Sequence, residues 1–142
     1  MIVSDIIKIL KISPLFKMQT DNLLNALAFT AEKKPFSTGD LIIKSDMKKP
    51  QCIIILEGKA YIQRKQKPIQ LSPGSSFGML SLINGRSSND ALIAGSAGMV
   101  LIIDSSLFEK LTSEFPDFTI KLKKHLKENF DKQASGMRKL FN

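Results

Sequence analysis

Between Leu41 and Ile103 the apolar residues come in runs of three to five, and glycine or proline interrupts every gap. The runs are Leu41-Ile42-Ile43, Cys52 to Leu56, Ala60-Tyr61-Ile62, Ile69-Gln70-Leu71, Ala91-Leu92-Ile93 and Met99 to Ile103. Gly39, Pro50, Gly58, Pro68, Pro73-Gly74, Gly95 and Gly98 separate them. Many short strands with regular turn signals predict an antiparallel sandwich or barrel and argue against a parallel α/β sheet. Gly39, Gly58 and Gly74 stand where one run stops and the next begins. There the chain must reverse, and a positive φ is cheapest for glycine.

Helical patterns flank this block. Ile2, Ile6, Ile7 and Leu10 recur at helical spacing until Ser13-Pro14, because proline disfavours α geometry in the residue before it. Thr20 suits the N-cap of a second helix carrying Leu23, Leu24, Leu27 and Ala28 on one face. Phe77 to Asn84 reads as a single helical turn between strands. After Asp104, Ser106-Leu107-Phe108-Glu109 fits a capping box, and Pro116-Asp117 suits a fresh helix start. The chain of 142 residues therefore reads as one domain. Its parts are a helical segment 1–32, a β block 33–104 and C-terminal helices 105–142. Phe118, Leu122, Leu126 and Phe130 form an apolar stripe on the last helix, with Lys121, Lys123, Lys124 and Lys127 elsewhere on its surface. The stripe either packs the helix on its own domain or forms the seam of a homodimer.

Composition narrows the chemistry. One cysteine excludes a disulfide framework within the chain, and one histidine excludes a multi-histidine metal site. His125 lies beyond the β block, so a metal centre inside the barrel is not expected. Cys52 opens an apolar strand, where a buried thiol is the default. No phosphate-binding glycine loop is present. The sequence reads as a non-enzyme with no cofactor and no metal. Its apolar runs are too short to span a bilayer, and Asp5, Lys8 and Lys11 make the N-terminus an amphipathic helix and not a secretory signal. A cytoplasmic protein is expected. The formal charge of +8 is spread along the chain, which favours solubility and weak attraction to polyanions over a dedicated nucleic-acid tail.

Four segments, in order, resemble the cyclic nucleotide-binding domain family, the β-roll of the catabolite activator protein type. Ser13-Pro14-Leu15-Phe16 is similar to that family's "PLF" turn. Phe36-Ser37-Thr38-Gly39-Asp40-Leu41-Ile42 resembles its strand entry, and Ile53 to Ile62 its signature hairpin. Leu71 to Gly78 resembles the "L-x-x-G-x-x-F-G" run into the phosphate-binding cassette, here residues 77–91. The resemblance implies a mainly β fold with flanking helices: an antiparallel double-stranded β-helix (jelly roll) between N-terminal helices and a C-terminal helix. It also implies a ligand, cAMP or cGMP, held by a pocket drawn from Phe77, Gly78, Met79, Leu80, Ser81, Arg86, Ser87, Ser88 and Asn89. Gly78 either turns a tight corner or lets the first N–H groups of the short helix face an anion.

The cassette departs from the nucleotide-binding pattern at two places. Met79 stands where the resemblance calls for a glutamate that accepts from the ribose 2′-OH. Ser88 stands where it calls for the arginine that pairs with the phosphate. A hydrogen bond to a charged group is worth about 1.5–3 kcal/mol, and an arginine–phosphate pair in a desolvated pocket roughly 2–5 kcal/mol. Losing both weakens binding by roughly 10²- to 10⁵-fold. Ser81, Ser87, Ser88 and Asn89 then either bond another ligand or are solvated loop residues. Three readings follow. The first is a regulatory, sensory or interaction module with a protein partner and with nucleotide binding weak or lost. The second is a true receptor in which Arg86, two residues from Ser88, neutralises the phosphate. The third is a non-specific polyanion binder. Sequence-specific DNA recognition is not expected, because the residues after Lys127 are too few for a helix-turn-helix module.

Overall fold

The computed structural model describes the backbone of residues 1–45, 49–64, 67–86 and 90–141, and side chains as far as residue 128. Two helices come first, α1 (Val3–Ile12) and α2 (Asp21–Thr30). Eight strands follow: β1 (Glu32–Phe36), β2 (Leu41–Ile43), β3 (Gln51–Glu57), β4 (Ala60–Ile62), β5 (Ile69–Leu71), β6 (Ser76–Phe77), β7 (Leu92–Ala94) and β8 (Gly98–Asp104). The short helix α3 (Met79–Asn84) sits between β6 and β7, and α4 (Ser105–Glu114) and α5 (Pro116–Phe141) close the chain. The strands form two four-stranded sheets, ordered β1-β8-β3-β6 and β2-β7-β4-β5, in which every pairing is antiparallel. The strand pattern predicts the antiparallel arrangement, and the β-roll with flanking helices is the form that the resemblance implies.

β3 shows why its run is apolar without interruption. Successive side chains of a strand point to opposite faces. Cys52, Ile54 and Leu56 face the helices, in one core with Leu23, Leu27, Leu101, Ile103 and Phe118. Ile53 and Ile55 face the other sheet, in a second core with Phe36, Ile62, Leu71, Leu92 and Val100. A strand covered on both faces loses the polar alternation of a half-exposed one.

Local details correct three expectations. The segment Ile53 to Ile62 is not a ladder-paired hairpin: β3 pairs with β6 and β8, whereas β4 pairs with β5 and β7. The chain crosses between sheets at Gly58, whose φ is +84°, and a Cβ there would lie 2.4 Å from the Ala97 carbonyl oxygen. The cap of α4 is Asp104, which accepts from the Leu107 N–H at 2.8 Å, and Ser106 lies inside the helix. A strand forms at Glu-Lys-Lys-Pro-Phe, where no apolar run announces one. β1 is an edge strand paired with β8 alone, and an edge tolerates both proline and charge. Elsewhere the expected signals hold: Thr20 accepts from the Leu23 N–H at 3.3 Å, α1 stops at Ser13, and α5 begins at Pro116. Among the described residues no helix is long and apolar enough to cross a membrane.

Candidate functional site

The site is built where β6 ends. β6 lies on β3, with Phe77 opposite Ile53, and the chain then turns through Gly78 at φ +100° into α3. A methyl group at Gly78 would sit 2.0 Å from the Gln51 carbonyl oxygen, so position 78 admits no side chain. The close approach of backbone to backbone places α3 directly against the edge of the first sheet.

Beside this corner opens a cavity of about 360 Å³. Its floor and near wall are Ser76, Phe77, Gly78, Met79, Leu80 and Ser81. Ile62 and Arg64 contribute from β4 and its exit, Pro14 and Leu15 from the turn after α1, and His125 and Leu126 from α5. All three parts of the chain thus meet at one opening. The lining is mostly apolar, and among the described residues in it Arg64 is the one permanent charge.

No family model matches the sequence, and neither does any curated protein sequence. Solved structures do match the fold. The N-terminal domain of a transcriptional regulator from Streptomyces coelicolor A3(2) superposes with a TM-score of 0.78 at 16% identity, over 90% of this chain and 93% of that one. The regulatory domain of Toxoplasma gondii PKA, in a co-crystal with cAMP, gives 0.68 at 18% identity, over 77% of this chain. The regulatory subunit of a cAMP-independent protein kinase A from Trypanosoma cruzi, bound to guanosine, gives 0.69 at 18% identity, also over 77%. The fold is that of the cyclic nucleotide-binding domain. This chain spans 44% of the Toxoplasma chain and 40% of the Trypanosoma one. At these identities the likeness carries the fold alone.

Of the pocket residues expected from sequence for a cyclic nucleotide-binding domain, Phe77, Gly78, Met79, Leu80 and Ser81 line the cavity. Met79 is 4% exposed and packs in the helix-facing core with Leu82, so this wall presents a thioether, a weak acceptor. Arg86 is exposed, one residue beyond the α3 C-cap Gly85, and is not among the lining residues. Ser87, Ser88 and Asn89 lie outside the described residues.

The described residues of the α5 stripe pack against the domain's own core. Phe118 is 1% and Leu122 0% exposed, and Phe118 stacks on Phe16 at 6.2 Å and meets Phe108 edge-on at 6.0 Å. Leu126 packs against the same core and reaches the cavity. Phe118 and Leu122 thus serve the domain's own core, and Leu126 is half-buried beside them. The Phe130 side chain lies outside the described part.

Arg64 and His125 are among the lining residues that the sequence does not place in the pocket. His125 was placed beyond the β block, yet α5 folds back and brings it to the cavity wall. Its position three residues after Leu122 and one before Leu126 is the signal, since residues three and four apart share a helix face. Arg64 stands beyond the apolar run of β4, where no apolar pattern marks it. The alternation Ala60, Ile62, Arg64 points all three to one side. Cys52 is fully buried, and that burial pushes its thiol up to about 12 against a smaller opposing effect of the Phe77 backbone hydrogen bond. At neutral pH it is a protonated core side chain, not a nucleophile.

Proposed function

We propose that this chain is a non-enzymatic regulatory module of cyclic nucleotide-binding-domain fold, with cAMP and cGMP binding weak or lost. The observation that supports this most is Met79. The cavity stands at the fold's cassette corner, but a buried thioether occupies the position where the family's ribose-binding carboxylate is expected, and Arg86 does not line the wall. The structural neighbours that are regulatory parts of PKA support a regulatory role for this fold.

The helices are the output. The turn after α1 and the middle of α5 both touch the cavity, so a change in what fills it bears directly on both helical ends of the chain. A protein partner then reads the helices. Isothermal calorimetry of the intact chain with cAMP and with cGMP tests the reading. The expected dissociation constants are about 1 mM or weaker, roughly 4 kcal/mol of binding energy. Saturable low-micromolar binding of either nucleotide overturns it.

A further inference from the structure

β4 carries an alternation past its own end. Ala60 and Ile62 are buried, Gln63 and Arg64 are exposed, and Arg64 lines the cavity together with Ile62. The Gln63 N–H donates to the Ala91 carbonyl at 2.9 Å, which holds residues 90 and 91 beside the strand exit. Across that exit Arg64 Nη2 lies 3.5 Å from an Asp90 carboxylate oxygen, with side-chain exposures of 53% and 35%. A single long contact between half-exposed groups is a weak pair. Guanidinium favours a bidentate carboxylate or phosphate over such a contact.

The remainder of the cavity specifies the rest of a ligand. No Asp or Glu is among its described lining residues, and Ile62, Phe77, Met79, Leu80 and Leu126 give it an apolar body. A polyhydroxylated ligand would find no carboxylate acceptor there, whereas an apolar chain or ring carrying one negative head finds both of its halves matched. We propose that Arg64 is the anion anchor of this cavity and Asp90 its resident counter-ion, exchanged on binding for the head group of a small, sugar-free organic anion. This rests on the preceding reading that the cavity is the sensory site, and adds the class of ligand.

The test is calorimetry on the intact wild-type chain, Arg64→Gln and Asp90→Asn. The probes are 4-phenylbutyrate, phenyl phosphate and the uncharged 4-phenylbutan-1-ol. The two anions distinguish a carboxylate head from a phosphate one. The wild type is expected to bind at least one anion more tightly than the alcohol. Asp90→Asn should tighten that anion about threefold to fivefold, and Arg64→Gln should weaken it roughly tenfold. The alcohol should bind all three proteins alike, which also reports that the variants are folded. Equal binding of anions and alcohol by the wild type, anion affinity unchanged in Arg64→Gln, or no binding of any probe overturns the proposal. Micromolar cAMP binding that disappears in Arg64→Gln would sink both the weak-nucleotide reading and the sugar-free class of ligand, leaving Arg64 as the anchor of a different one.

Discussion

At Met79 a thioether lies in the core and in the cavity wall at once, so one side chain decides both packing and ligand chemistry. Cys52 is its neighbour in the same core, and its burial has a pH consequence. In the unfolded chain a thiol ionises near its ordinary value, about 8.5. In the folded chain Cys52 keeps its proton until about pH 12. Between these values the unfolded state binds fewer protons, so the stability this group contributes is intact below pH 8.5 and falls as pH rises. Urea unfolding of the wild type is expected to lose stability relative to Cys52→Ala by on the order of 1 kcal/mol per pH unit between pH 9 and 11. Parallel pH profiles for the two proteins would contradict the burial argument. The cavity's floor was legible from Phe77 to Ser81, because a glycine between a strand and a helical turn marks a corner. Arg64 and His125 were not, since what brings each to the wall is where a strand exit and a returning helix come to rest.

At the scale of the element, caps and strand edges separate what the sequence states from what the fold decides. Ser106 and Glu109 have the spacing of a capping box, but β8 runs on to Asp104, and that aspartate takes the Leu107 N–H. Asp104→Ala is expected to cost about 1 kcal/mol of stability and Ser106→Ala a few tenths, as read from denaturant midpoints. The reverse order would restore the capping box at Ser106. β1 was hidden because an edge strand needs few apolar residues, while β3 was plain because both its faces are buried. The crossing at Gly58 was misread as a hairpin, since a glycine turn between two apolar runs looks the same whether the runs pair or change sheets.

For the whole molecule, α5 joins the two questions that sequence left open, dimerisation and response. Its stripe is committed to the domain's own core by Phe118 and Leu122. Leu122→Ala is therefore expected to lower stability by about 2–5 kcal/mol without changing the molecular mass seen by light scattering. A variant that keeps its stability but dissociates from a dimer to a monomer would return the stripe to a seam between copies. The same helix brings His125 and Leu126 to the cavity. A ligand filling the cavity would therefore touch the C-terminal helix directly.

The claim on which the account stands is that this cavity has the shape of a nucleotide site without its grip. Its most direct test is a heteronuclear NMR titration of the intact chain with cAMP, following the backbone amides from Phe77 to Ser81. The account predicts small shifts that rise without saturating up to about 1 mM ligand. Large shifts of those amides that saturate at micromolar cAMP would contradict it.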